Sequence, residues 1–227
     1  MNNLGRVGII ISVRSNSSRL PRKALLKLMG ISTLSFLIRR LKTSVRVDEI
    51  ILATTSLSQD DELAEIGKNE KIKVYRGSLD NVVERNVLAA EEYGIETVLR
   101  ITGDCPFVSG ELVDFAIENS SQENFDLYST KGEFPIGLDV EIYRAFQMKK
   151  LHKSMVLNDR HREHLTLYYY ENFEKFHIYR IYPPKEWKTD RVFTIDNFED
   201  YNSACKLVSN FKDIHTPIAS FVAASTA

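Results

Sequence analysis

Apolar positions fall along the chain in two kinds of block. Short runs rich in β-branched residues, VGIIIS at 7–12, EIILATT at 49–55, KVYRG at 73–77 and TVLRITGD at 97–104, each end in a polar turn. Runs of this length bounded by turn residues predict strands buried on both faces. Longer stretches of helical periodicity lie between them. After Gly30, Ser32 stands where it can cap a helix in which Leu34, Leu37, Ile38 and Leu41 recur at i, i+3, i+4 and i+7. Arg39 and Arg40 fall outside that stripe. Ser58 and Asp61 resemble a capping pair opening a helix through Leu63 and Ile66, and further helices are predicted over 81–93 and 111–119, the latter turning Leu112, Phe115 and Ala116 inward.

Strand and helix thus alternate through the first half. That order implies right-handed crossovers and a mostly parallel sheet with helices on both faces, a three-layer α/β/α fold whose ligands bind at the C-terminal ends of the strands. Beyond about Phe125 the pattern changes. FDLYST, GLDVEIYR, FHIYRIYPP and VFTID read as strands, and 158–172 and 198–211 as helices. This stretch is expected to sit beside the parallel sheet and partly complete it. No repeat and no linker rich in Gly, Pro or Ser divides the chain, so 1–227 is read as one domain.

Composition narrows the function. With 30 basic and 31 acidic residues the formal net charge is −1, which removes the case for broad nucleic-acid or anionic-membrane binding. Any basic site must be local. Cys105 and Cys205 form no CxxC pair, MNNLGRVGIII lacks the features of a leader, and no apolar run approaches the roughly 20 residues that span a bilayer. A soluble protein of a reducing cytoplasm is expected.

The local basic site is RSNSSRLPRKAL at 14–25, directly after the first strand. Neither GxxxxGK[ST] nor GxGxxG is present. RxxSxRLPxK instead offers backbone donors, the hydroxyls of Ser15, Ser17 and Ser18, and cations suited to a triphosphate, although a solvated loop also explains such charge. Asp104 ends one buried strand, and Asp196 ends VFTID just before Glu199 and Asp200. Strand-end carboxylates converge on one rim, where two of them can share a Mg²⁺ bridging phosphate oxygens; the alternative for Asp104 is a turn-forming Asp. Cys105 reads as a small packed residue rather than a nucleophile. His161 and His164 stand three apart in RHREHLT without further zinc ligands, so Arg162, Glu163 and His164 are read as polar contacts to substrate or as plain helix-surface charge. Tyr168, Tyr169 and Tyr170 read as core or interface rather than base-stacking residues.

Taken in order, RSNSSRLPRKAL, RITGDCP at 100–106, GLDVEIY at 137–143, REHLT at 162–166 and FTIDNFED at 193–200 resemble the cytidylyltransferases of the SpsF type, relatives of the CMP-sialic acid and CMP-Kdo synthetases. The resemblance runs from about Val7 to Asp200. It implies a Rossmann-like nucleotide-diphospho-sugar transferase fold with a dimerisation arm, here about 125–190, and homodimers. It also implies a Mg²⁺-dependent transfer of CMP from CTP to a sugar or sugar-acid hydroxyl. Arg14, Ser17, Arg19, Lys23 and Arg100 would bind the nucleotide, with Arg14, Lys23 and Asp104 catalytic and Asp104 and Asp196 holding the metal. Asp139 and Glu141 would face the substrate or a second metal, or else form a structural pair on the rim. Base selection is assigned to ATTS at 53–56 and to Arg76–Ser78. Arg22 departs from the pattern, since many relatives carry Gly there. Two other readings stay open, a transfer to a phosphorylated acceptor and a non-catalytic nucleotide-binding protein.

Overall fold

The computed structural model describes residues 4–224, so the first three residues of the N-terminal segment read above lie outside the described residues. Strand β1 (Val7–Ser12) leads through the basic loop to a small hairpin, β2 (Lys27–Leu28) and β3 (Ile31–Ser32), and then to α1 (Thr33–Leu41). There follow β4 (Glu49–Thr55), α2 (Asp61–Asn69), β5 (Lys73–Gly77), α3 (Val82–Glu92), β6 (Thr97–Thr102) and α4 (Gly110–Glu118). The second half supplies β7 (Leu127–Ser129), β8 (Glu141–Arg144), α5 (Ala145–Lys153), α6 (Asp159–Glu163), α7 (Leu167–Glu171), β9 (Ile178–Arg180), α8 (Phe198–Val208) and α9 (Ile218–Ala223).

Seven strands form one sheet in the order β5-β4-β1-β6-β8-β7-β9. β5, β4, β1 and β6 are parallel, and β8 joins β6 antiparallel in a register that sets Arg100 opposite Glu141. Residues 125–190 therefore supply three strands of the same sheet. Period-two alternation explains the two cores. Val7, Ile9 and Ile11 pack with Leu34, Leu37 and Leu41 of α1, whereas Ile10 packs with Val83 and Val87 of α3 on the other face. Burying each such isoleucine stabilises the fold by about 1.5–3 kcal/mol. No helix among the described residues is long and apolar enough to cross a membrane.

Several expected elements differ, each because a tertiary partner wins over local pattern. VFTID is extended but joins no sheet; Phe193 N–H donates to the Ile136 carbonyl (2.7 Å) and Ile195 N–H to that of Asp104 (2.9 Å), so it lies along two loops. The helix expected over 158–172 breaks after Glu163, where His164 leaves helical geometry (φ −105°, ψ 77°) and the chain turns Thr166 toward β8. The last long helix stops at Val208. Ser58 does not cap α2: a 3₁₀ turn at Ser58–Asp60 precedes that helix, and Asp60 spends its carboxylate elsewhere. Gly137 holds φ +88°, and a Cβ there would stand 2.4 Å from the Thr194 nitrogen, so only glycine lets this turn approach the 193–196 segment.

Arg40 reverses its expected exposure. It is 1% exposed and donates to the carbonyls of Phe107, Ile214 and Thr216, while its guanidinium lies 4.9 Å from the Phe221 ring centre. Burial lowers its pKa to about 10. The C-terminal segment thus takes a cation on its carbonyls, and in doing so covers the end of α1. Arg22 also does something only its backbone reveals, adopting φ 57° and ψ 25° where a glycine would be unstrained, with its side chain paired to Glu62 of α2.

Arg40→Met keeps the bulk but leaves three carbonyls without their donor. We expect a loss of about 2–4 kcal/mol and a Tm lower by roughly 5–15 °C, read by thermal denaturation; an unchanged Tm would mean that the carbonyls are not buried. Arg22→Gly relieves about 1 kcal/mol of left-handed strain and forfeits an exposed ion pair and some chain stiffness of similar size. Its Tm is expected to stay within about 3 °C of the parent, and a larger fall would make the Glu62 pair a true anchor.

Candidate active site

The C-terminal ends of β1 and β6 open into a cleft of about 610 Å³. The basic loop forms one wall, with Arg14, Ser17, Arg19 and Lys23 all lining the space. Its shape is set by one residue. The Ser15 carbonyl accepts from both Ser17 N–H and Arg22 N–H at 3.0 Å, closing the loop on itself, while Ser15 N–H donates to Asp60 at 2.8 Å. Asp60 is fully buried and also accepts from the Thr55 hydroxyl. Burial alone would raise its pKa, but the bonds from Thr55 and Ser15 outweigh that and hold it low, so it stays a charged anchor.

At the floor of the cleft Lys23 Nζ lies 2.8 Å from Asp104 Oδ2 and 2.9 Å from Asp196 Oδ1. Gly103 permits the turn that presents Asp104, for a Cβ there would meet Val13 Cγ2 at 2.6 Å. Desolvation opposes charge on Asp104, yet Lys23 holds its pKa down; the same desolvation works against Lys23, and the two aspartates hold its pKa up. Arg19 adds a contact to Asp196 at 3.1 Å, and Arg14 reaches across to Glu163 at 3.0 Å. Each cation of the loop that lines the cleft is therefore held by an acid of the facing side.

Two carboxylates that meet at one ammonium present hard oxygens of the kind that suit Mg²⁺. Among the described residues no group of three His, Cys, Asp or Glu is placed to hold a metal. A cation here would complete its shell from water and phosphate. Glu199 and Asp200 serve α8 instead: Asp200 accepts from Asp196 N–H (2.9 Å) and Asn197 N–H, fixing the backbone behind the Asp196 carboxylate. Burial pushes the Cys105 thiol well up, as expected of a packed residue.

The remaining candidates separate. Arg100, Glu163 and His164 line the cleft. Glu141 does not; it is 1% exposed and binds Arg100 Nη1 (2.7 Å), the Thr166 hydroxyl (2.9 Å) and the Tyr170 hydroxyl (2.5 Å). Against the pull of burial these partners keep its pKa low. It is the knot that joins β8, the broken helix and the arginine of β6. Asp139 accepts from Gly137 N–H, and burial raises its pKa. Arg162 turns to Asp159, and His161 caps α6 and pairs with Glu171. Arg22 does not line the cleft, and Arg76 spends its donors on the Thr55 and Leu57 carbonyls and on Asp61.

The sequence reading missed Leu79, Asp80, Val82 and Arg85, which line the cleft from the β5 side, and Asp60 behind it. The available signals were an arginine within α3 and an aspartate shortly after β4. A second cavity of about 500 Å³, lined by Glu91, Glu96, Arg144 and Lys149 among others, opens at the other end of β6, away from every motif named above.

Comparison with known proteins places this geometry. A cytidylyltransferase family model matches residues 8–216. The chain is 35% identical over 214 residues to an uncharacterised protein of Methanocaldococcus jannaschii, covering 94% of this chain and 87% of that one. It is 30% identical over 199 residues to the spore coat polysaccharide biosynthesis protein SpsF of Bacillus subtilis, covering 86% and 82%. The fold matches the structure of a cytidylyltransferase from Leptospira borgpetersenii with a TM-score of 0.91 at 30% identity, over 97% of this chain and 94% of that one. Matched over nearly its full length in both sequence and fold, the chain belongs to the cytidylyltransferase family of CTP-dependent nucleotidyltransferases.

Proposed function

We propose that this enzyme transfers CMP from CTP to a hydroxyl of a sugar or sugar acid, with Mg²⁺ as cofactor and release of pyrophosphate, in the making of a surface glycan. The junction of Lys23 with Asp104 and Asp196 beneath the basic loop carries this reading. The similarity to a spore coat polysaccharide protein supports the glycan setting.

Asp104 and Asp196 would hold Mg²⁺, which when bound neutralises charge on phosphate oxygens. In the transfer the acceptor oxygen bonds to the α-phosphorus as the bond from that phosphorus to the pyrophosphate oxygen breaks, and charge grows on the leaving β- and γ-phosphates. Arg14, Arg19 and Lys23 would meet that charge from fixed positions, without reorganisation at the moment of reaction. Their present acidic partners do not prevent this. The Arg14 and Arg19 pairs are largely solvent-exposed and worth at most about 1 kcal/mol each, so a triphosphate can take the cations over. Glu163 and His164 come from the break after α6, on the side of the cleft left for the acceptor.

Thermal shift with the four nucleoside triphosphates is the direct test. Near a hundredfold excess over Kd, CTP with Mg²⁺ should raise Tm by roughly 5–10 °C, well above ATP, GTP or UTP. Equal shifts for all four would overturn the cytidine preference. Asp104→Asn should retain the fold by circular dichroism, lose the Mg²⁺ dependence of the CTP shift, and release pyrophosphate ~10²- to 10³-fold more slowly in a panel of sugar and sugar-acid acceptors. Undiminished turnover in that variant would remove Asp104 from the reaction.

A further inference from the structure

Among the described residues two arginines are buried, and they are built differently. Arg40 is well supplied, with four hydrogen bonds to three carbonyls and a ring beneath it. Arg85 of α3 is 2% exposed and makes a single hydrogen bond, from Nη1 to the Ser78 carbonyl. Its Nε has no partner, and among the described residues no acid lies within ion-pair distance of it. A guanidinium carries five N–H donors, and a buried cation without a counter-charge is costly to keep. Arg40 shows what a purely structural arginine looks like in this fold. Arg85 does not look like that.

Its position explains the difference. Arg85 lines the same cleft as the basic loop, on the β5 side with Leu79, Asp80 and Val82. Its stem lies over the end of β5, where a Cβ on Gly77 would stand 3.4 Å from Arg85 Cγ. Asn86, the next residue of α3, is tied to Ser12 at the end of β1 (3.0 Å), so this turn of the helix is registered against the strand that launches the loop. Burial and, after it, the positive charge of Arg14 lower the Arg85 pKa to about 10, against a smaller pull from Asp60. Asp60 accepts from Ser15 and Thr55 and makes no ion pair with Arg85. Arg14 and Arg85 therefore face the same cleft, and the buried one of the two is short of acceptors. Val82 at the N-terminus of the 11-residue helix α3 lines the same wall, where the helix dipole also favours an anion.

We propose that Arg85 is a nucleotide-binding residue, donating with Arg14 to an oxyanion of the bound triphosphate, so that the cleft holds two anion subsites: Lys23 with Arg19 on the β6 side, and Arg85 with Arg14 on the β5 side. The proposal rests on CTP occupying this cleft. The ligand then supplies the acceptors that the fold withholds, and the cost of burying Arg85 is met only in the complex.

Arg85→Met separates binding from structure, because replacing an unsatisfied buried cation by an apolar chain of similar length is neutral or stabilising for the fold. The expected result is a Tm equal to or above that of the parent, with affinity for CTP and for inorganic pyrophosphate reduced about 10- to 100-fold by titration calorimetry, the weight of a charged hydrogen bond, and cytidine binding unchanged. Unchanged CTP and pyrophosphate affinity in a folded variant would overturn the proposal, as would an equal loss for cytidine. A lowered Tm with intact affinity would assign Arg85 to structure and overturn it too. Should Arg85→Met not fold, Arg85→Gln retains a donor toward Ser78 and is read in the same way. Parent protein that binds no CTP would instead overturn the nucleotide reading itself, so the two failures are distinct.

Discussion

The candidate site depends on one ammonium group standing between two carboxylates. Lys23 lies 81 residues from Asp104 and 173 from Asp196 in the chain, and it holds both within 3 Å. Without it two carboxylates would face each other at the rim of a sheet, where desolvation already opposes the charge of Asp104. The sign of each shift shows how long the arrangement lasts. The pKa of Asp104 is depressed, so its contribution to stability is present above the unfolded value and is lost as pH falls through the folded one. That of Lys23 is raised, so its contribution is present below the unfolded value and is lost as pH rises through the folded one. Across the neutral range both hold, and the protein keeps two acids in reach of one cation.

Backbone geometry brings them there. The carbonyl of Asp104 accepts from Ile195 N–H, so the residue that offers one carboxylate also anchors the segment that delivers the other. Gly137 lets the turn before β8 close on that segment from the far side, and Asp200 clamps it from α8. On the opposite wall Asp60 does the equivalent for the basic loop through a single N–H of Ser15. Neither Asp60 nor Asp200 is among the residues lining the cleft, yet both determine where those residues stand. The charges of the cleft are thus mounted on loops, and the loops are mounted on buried or capping carboxylates.

This division marks what the sequence could reveal. The parallel half of the sheet was legible because β-branched runs and helical stripes are local signals, and Arg14, Arg19, Lys23 and Asp104 were marked by their place after strand ends, whereas Asp196 stands at the same rim although the segment that carries it is no strand. VFTID was misread as a strand because extended backbone and sheet membership look alike until the partners are known, and its partners are loop carbonyls. The helix over 158–172 was misread because its periodicity continues through a break whose cause, the buried Glu141 drawing in Thr166 and Tyr170, lies on a distant strand. Nothing local singles out Asp60, because a carboxylate that begins a helix and one that anchors a loop occupy the same position in sequence.

The arginines set the sharper limit. Arg40 and Arg85 each interrupt a helix whose other inward positions are mostly apolar, and by spacing alone both belong on a solvated edge. Burial by itself does not distinguish them either, since both are nearly inaccessible and the pKa of each is lowered to about 10. What separates them is the supply of acceptors. The chain sends Ile214 and Thr216 to Arg40 from 174 and 176 residues away, and with Phe107 they complete a cage that owes nothing to a ligand. For Arg85 it sends one carbonyl from seven residues away, leaves Nε unpaired, and opens the remainder toward the cleft. A buried charge whose acceptors the fold supplies is structure. One whose acceptors the fold leaves out, beside a loop of cations that already meets carboxylates, is where a ligand would complete the protein.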